Sequence, residues 1–406
     1  MITEETTDSK KKTRRLRRGI STQASLVILI VAMSVSFVAG TRSDELYRVV
    51  APVFGIRVAQ QDLDTSVLEE TYRQLAANYD GDLDAAVLSD GAARGMVEAA
   101  GDRYTVFMDE DEATEFRKDL SGSLSGIGAE IGVRNDQPTV LRVLDDSPAS
   151  KAGLQAGDVF VSVNDESMDK KTAAEVAEKV RGDTGTTVKI VMKRGEQTQG
   201  YSITRAQVND PSVRWEITDG VGVMTISRFD DQTGSLARKA AQEFVDNNVT
   251  GVIVDLRNNG GGYLSAAQEV SGLWLDNKVI VTEKAHGEVI DTVKSGSSAL
   301  LADKKTVVIT NGDTASASEI VAGALQDYDK ATLVGEKTYG KGTVQNVINL
   351  SGGRLLKVTA ARWFTPNGKN IGEEGIAPDK TVSISKEDSN AGKDPQMDAA
   401  RTELSS

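Results

Sequence analysis

The chain has 406 residues, with 39% hydrophobic residues and 38 glycines, which suits two or three globular domains and is unlike a disordered or fibrous chain. A net charge of −13 argues against nucleic acid as a partner, because binding it requires a basic face. There is no cysteine and a single histidine, His286, so disulfides, thiolate chemistry and the common metal clusters drop out, and neither metal nor cofactor is expected.

The amino terminus departs from this acidity. "KKKTRRLRR" (residues 10–18) places seven basic residues ahead of the 17 uncharged residues "ASLVILIVAMSVSFVAG" (24–40). A spanning helix needs about 20 apolar residues, with a lower bound near 17, whereas a cleavable signal has a shorter apolar core of about 7–15. The long charged leader favours an uncleaved single-pass anchor over a cleaved signal. By the positive-inside rule, residues 1–23 then stay in the cytoplasm and everything after residue 40 is exported.

Residues 41–117 read as a polar helical arm, with Val67, Leu68, Tyr72 and Leu75 on one helical stripe, and no chemistry is visible in it. Residues 118–207 change texture. Short strand-like runs ("SGIGAEIGV", "PTVLRVL", "GDVFVSVN", "TTVKIVMKRG") and two short helices ("SPASKAGL", "TAAEVAEKVRG") form a compact α+β module. Between 208 and 385 strands alternate with helices: "VGVMTISRF", "GVIVDL", "TVVIT" and "ATLVGE" against "LARKAAQEFVDNN", "LSAAQEVSGLWL" and "ASEIVAGALQDY". That alternation predicts an α/β core with a mixed, largely parallel sheet. Residues 386–406 read as a loose polar tail.

Two glycine motifs imitate nucleotide sites and fail. "GIGAEIG" has its glycines (Gly126, Gly128, Gly132) out of register for a dinucleotide fingerprint, and no strand–turn–helix unit surrounds it. "GEKTYGKG" matches a phosphate loop through Lys341, but Gly342 stands where a hydroxyl must hold magnesium, and a β-rich segment follows instead of a helix.

The stretch "NGDTASASEI" is more informative. Ser316 and Glu319 fit a helix capping box, and Ile320, Val321, Ala324, Leu325 and Tyr328 form the apolar stripe behind it. A serine becomes a nucleophile only beside a base. His286, among charged residues in "EKAHGEV", reads as a surface side chain. A lysine can serve if burial makes it neutral, a shift of about three pKa units or roughly 4 kcal/mol. Lys341 lies between two glycines, and the uncharged Gln345 four residues on can orient an amine, provided a turn or bulge at Gly342 brings the two together. An oxyanion hole needs backbone N–H groups aimed at one point; Ala317 at the helix start and the triple glycine Gly260–Gly261–Gly262 are the two sources.

These segments, in this order, resemble the C-terminal processing peptidases (tail-specific proteases). The resemblance rests on "DLRNNGGGYL", "TASASEIVAGALQDY", "VGEKTYGKGTVQ" and "RWFTPNGKNIGEEGIAPD", and on a PDZ-like module carried by "GIGAEI", "SPASKAGLQAGDVFVSVN" and "RGDTGTTVKIVMKRG". It implies Ser316 as nucleophile, Lys341 as general base 25 residues later, Gln345 as supporting amide, Ala317 and Gly261 as oxyanion donors, and Ser318 as a structural serine. It also implies Gly126, Ile127, Gly128 and Ala129 as a loop that captures a peptide carboxylate, with the peptide adding as a strand. The chain departs from the usual pattern at Asn259-Gly260 and at Gly312-Asp313; Asp313 is expected to face solvent, because facing Lys341 it would raise the amine's pKa.

The expected protein is a membrane-anchored bacterial serine endopeptidase acting on unstructured carboxyl termini of extracytoplasmic proteins, with the oligomeric state open. The alternative is a PDZ peptide-binding scaffold with an inactive peptidase domain.

Overall fold

The computed structural model describes residues 63–406 apart from 122, 136 and 373; the basic leader and the expected anchor at 24–40 lie outside the described residues. Among the described residues, no helix is long and apolar enough to cross a membrane. The chain divides into two units, ending and starting at Asp84 and Ala85. The first contains the helix Ser66–Asn78, which buries no residue and exposes the expected stripe of Val67, Leu68, Tyr72 and Leu75.

The second unit is built on a six-stranded sheet in the order Val213–Thr218, Val221–Ile226, Gly251–Asp255, Lys305–Thr310, Thr332–Gly335, Lys380–Thr381. The first pair is antiparallel and the other pairs are parallel, as the strand–helix alternation predicts. The central strands alternate between two apolar faces. Val252, Val254 and Val308 turn toward the helices Thr233–Asp246, Leu264–Ser271 and Ala317–Asp327, whose small buried residues (Ala240, Ala267, Ala324) allow close packing.

A second, antiparallel sheet covers those helices from the other side, and the sequence reading did not foresee it. Val106–Met108, Leu355–Phe364, Val279–Ala285 and Glu288–Lys294 pair in that order, with Thr343–Asn349 paired along Leu355–Phe364. Ile280, Val281 and Trp363 of this sheet share one core with Ile320 and Val321 of the helix Ala317–Asp327, so that helix is enclosed between two sheets. Part of the expected arm is therefore a strand of the peptidase layer.

The PDZ-like module has its own core of Ile127, Val140, Phe160, Val176, Ile190 and neighbours. Its sheet runs Ala129–Arg134, Gln137–Val143, Val159–Val163, Thr187–Arg194, Gln197–Thr204, which leaves Ala129–Arg134 as an edge strand beside the helix Ala173–Val180. A two-stranded neck, Ser123–Gly126 with Ala206–Asn209, joins it to the core.

The tail is not loose. Lys386–Ala391 and Pro395–Ser405 are helices, and Met397, Ala400 and Leu404 cover the outer face of the parallel sheet against Ile253, Val307 and Val334. Arg257 fastens the last helix: its guanidinium donates to Asp255 at 2.6 and 2.9 Å, to both oxygens of Asp394 at 2.9 Å, and to Gln396 at 3.2 Å. Burial acts to raise the Asp394 carboxyl, but the Arg257 guanidinium outweighs it and holds that carboxyl below the usual range. The contribution is therefore present at neutral pH and is lost as pH falls through the lowered value.

Arg257→Ala strands the buried Asp255 carboxylate, so urea unfolding should show a loss of about 3 kcal/mol at pH 7. The gap between parent and variant should narrow below about pH 4 as Asp394 protonates; a gap independent of pH would contradict this role.

Candidate active site

Three consecutive parallel strands end on the same edge of the sheet, and the segments that leave them build the site. Gly251–Asp255 runs into the turn 256–263, Lys305–Thr310 into the turn before the helix Ala317–Asp327, and Thr332–Gly335 into the segment before Thr343–Asn349. Their residues Gly260, Gly261, Ser316, Ala317, Lys341, Thr343 and Gln345 line one cavity of about 380 Å³.

Ser316 sits at the helix start with φ 57° and ψ −117°, outside the extended conformation of an ordinary cap. A strained strand-to-helix corner of this kind holds a side chain out at the mouth of the helix, at an energetic penalty of about 1–3 kcal/mol. Glu319 holds the corner. Its carboxylate is fully buried, and Oε2 accepts from the Ser316 N–H (2.8 Å) and the Lys341 N–H (3.0 Å). Oε1 accepts from the Thr338 hydroxyl (2.5 Å) and the Gly340 N–H (2.8 Å). The sequence marked Glu319 only as a cap; the structure makes it the tie between the serine and lysine segments.

Asn259, also fully buried, makes the second tie. Its carbonyl accepts from Ala315 N–H and from the Ser318 hydroxyl, both at 3.0 Å, which gives Ser318 the structural part the resemblance implied. Its side chain donates to Ile226 O (2.8 Å) and accepts from Gly261 N–H (2.9 Å). Gly261 packs directly on Ser316: at φ +101° an added Cβ would stand 2.7 Å from Ser316 Cβ and 2.9 Å from Ala317 N. Of the two expected oxyanion donors, Ala317 N–H lies at the first helical position, where no intrahelical acceptor exists. The Gly261 N–H is taken by Asn259, so in this conformation it is not offered to a ligand.

Lys341 is half-buried, its carbonyl accepting from Trp363 Nε1 at 2.8 Å and its amine 5.7 Å from the centroid of the Tyr104 ring. Burial pushes the amine's pKa down, the nearby Lys357 ammonium pushes it further, and Glu319 partly opposes both. The strand carries a bulge between Val344 and Gln345, but the described hydrogen bond of the Gln345 amide goes to Tyr104 O (2.5 Å) and not to the lysine. Tyr104 thus touches both residues, and Phe116 lines the cavity; neither was visible in a segment read as a plain helical arm. Asp313 and His286 are exposed, as expected.

The PDZ loop lies elsewhere. Gly126, Ile127, Gly128 and Ala129 line a separate cavity of about 740 Å³, with Ala177 and Val180 of the flanking helix and Arg257 and Asn258 of the core. Gly128 has φ +77°, and an added Cβ would meet Ser147 Cβ at 2.3 Å. The carbonyls of Ile127 and Gly128 are used inside the module, by Ala149 and Leu144 N–H.

The profile of peptidase family S41 matches residues 220–382, and that of a PDZ domain matches residues 139–194. A probable CtpA-like serine protease of Staphylococcus haemolyticus (strain JCSC1435) is 36% identical over 318 residues, covering 78% of this chain and 64% of the relative. Another from Staphylococcus epidermidis (strain ATCC 35984) is 35% identical over 329 residues, covering 80% and 67%. The structure of a photosystem II D1 C-terminal processing protease superposes with a TM-score of 0.53 at 28% identity, covering 80% of this chain and 89% of that one. The chain belongs to peptidase family S41 and carries a PDZ domain, and it spans about two thirds of the length of its staphylococcal relatives.

Glu319→Gln removes the one group that raises the Lys341 amine, so that amine should titrate at lower pH in an NMR titration of labelled lysine. Loss of buried acceptors should also lower stability by about 1–3 kcal/mol. An amine midpoint that stayed fixed or rose would contradict the arrangement.

Proposed function

We propose that this chain is a serine endopeptidase in which Ser316 and Lys341 form the catalytic dyad. The observation that carries the reading is their shared cavity, in which the lysine is half-buried and, among the described residues, no carboxylate is hydrogen-bonded to its amine. The Ser316 hydroxyl attacks the peptide carbonyl while the neutral Lys341 amine takes its proton. The negative charge on the carbonyl oxygen develops at the helix N-terminus, where Ala317 N–H and the helix dipole stabilise it. The resulting ammonium returns the proton to the leaving amine, and the acyl-enzyme is then hydrolysed by a water that Lys341 deprotonates. Gln345 acts on the lysine through Tyr104, whose carbonyl it holds and whose ring lies beside the amine.

The PDZ module presents substrate. Ala129–Arg134 is an unpaired sheet edge flanked by the helix Ala173–Val180, the arrangement in which a peptide adds as a strand with its terminal carboxylate at the loop 126–129. The substrates are unstructured carboxyl-terminal segments. The basic leader and the uncharged residues 24–40 support a single-pass anchor with the catalytic part outside the cytoplasm of a bacterial cell.

Purified protein should cut an unfolded protein with a free carboxyl terminus, and Ser316→Ala and Lys341→Met should each reduce the rate at least about 10³-fold. The rate should climb with pH as the amine loses its proton, through an apparent pKa below that of ordinary lysine. Lys357→Gln, by removing a neighbouring positive charge, should move that limb to higher pH. Tight binding of the terminus without cleavage by the parent protein would establish a scaffold instead.

A further inference from the structure

The cavity contains a second cation, Lys357, to which the proposed mechanism gives no contact with substrate. Lys357 lies on the strand Leu355–Phe364, opposite Val347 on one side and Val106 on the other, and its side chain lines the cavity with Ser316 and Lys341. It is half-buried. Among the described residues its amine has no hydrogen bond and no ion pair, and the contact it makes is with the face of Phe116, 5.8 Å from the ring centroid. Glu283 is the one carboxylate in the cavity lining, and it forms no ion pair with the lysine. A half-desolvated ammonium without an anion is an unfavourable arrangement that a ligand can relieve.

We propose that Lys357 is a specificity-determining residue of the active site, an anion subsite that takes a carboxylate carried by the substrate near the scissile bond. The inference rests on the peptidase reading above. Lys341 cannot fill this part, because it must be neutral to accept the serine's proton, and a carboxylate beside it would hold it charged. Lys357 supplies the compensating charge, so that an acidic substrate enters without silencing the base. The spacing sets the reach. From Thr343 to Val347 the strand advances four residues, about 13 Å at 3.3 Å per residue, so an extended substrate lying along it meets Lys357 within about four residues of the bond to be cut. The carboxylate is either an aspartate or glutamate side chain or the free terminus of a short tail.

The test uses the full chain and three peptide sets. The first pairs carry a single glutamate or its glutamine twin at each position within four residues of the cleavage site, all C-terminally amidated so that the PDZ loop has no carboxylate to hold. The third set is neutral with a free terminus. In the parent, at least one glutamate peptide should exceed its glutamine twin about tenfold in kcat/KM, as expected for one charge-assisted contact. That ratio should fall toward one in Lys357→Met and survive in Lys357→Arg. If the free-terminus peptide alone shows the Lys357-dependent preference, the reader is confirmed and the carboxylate is the substrate's end. A glutamate-to-glutamine ratio equal in parent and Lys357→Met, with no Lys357 dependence for the free terminus, overturns the proposal. Should the parent cleave nothing, the peptidase reading falls by itself. The same peptide pairs are then compared for binding to Ser316→Ala with and without Lys357→Met, and equal affinities overturn the subsite.

Discussion

A single buried carboxylate fixes the relation between Ser316 and Lys341, the two residues proposed to carry the chemistry. Glu319 projects from the first turn of the helix Ala317–Asp327, and one of its oxygens accepts from the backbone N–H of both Ser316 and Lys341. The other takes the Thr338 hydroxyl and the Gly340 N–H. Four donors fill both oxygens, which is the condition for keeping an acidic side chain wholly out of water. The bonds to Ser316 and Lys341 come from their main-chain N–H groups, so they set where the two residues sit without touching either side chain. Asn259 does the same for the glycine turn, holding it against the serine through its carbonyl and its amide.

Around this frame the electrostatics lower the pKa of the Lys341 amine. With one histidine in the chain, and that one exposed at a hairpin turn, the proposed base is a lysine, whose ordinary pKa is too high for the task. Burial and the positive charge of Lys357 lower it, and Glu319 works in the opposite direction. Glu319 is thus a compromise: it organises the site at some penalty to the base. In the proposed scheme the two lysines of one cavity divide the work, one kept free of anions and one open to them.

Much of this was legible in the sequence, and the gaps have physical causes. The buried parallel strands read as continuous apolar runs, as in "GVIVD", and the helices between them carry regular stripes. Ser316 alone reads as a helix cap and Lys341 alone as a lysine in a glycine turn; the family resemblance of the surrounding segments is what singled them out. The antiparallel sheet was hidden because its strands mix charge with apolar residues, as in "VIVTEKA" and "LLKVTAARWF", where only one face is covered. Val106–Met108 is three residues long and reads as nothing until it pairs with Leu355–Phe364. The final helix looks polar because it shows the sheet only a narrow strip, Met397, Ala400 and Leu404, and much of its attachment is the ionic contact to Arg257, 137 residues distant in the chain. Glu319 and Asn259 were visible as a cap and a turn residue. What they join depends on segments that are adjacent only after folding.

Ser316 and Lys341, the proposed nucleophile and base, are furnished by different layers. Ser316 begins a helix that crosses over the parallel sheet, whereas the segment holding Lys341 leads straight into a strand of the antiparallel one. The proposed dyad is therefore a seam, and its alignment is a property of how two slabs are registered rather than of either slab. A slip of about an ångström between them would leave both apolar interiors intact while pulling hydroxyl and amine out of range, since misplacement on that scale can lower a rate about 10²-fold. In mechanical terms the fold is a shear gauge, with Glu319 as the pin that reads zero.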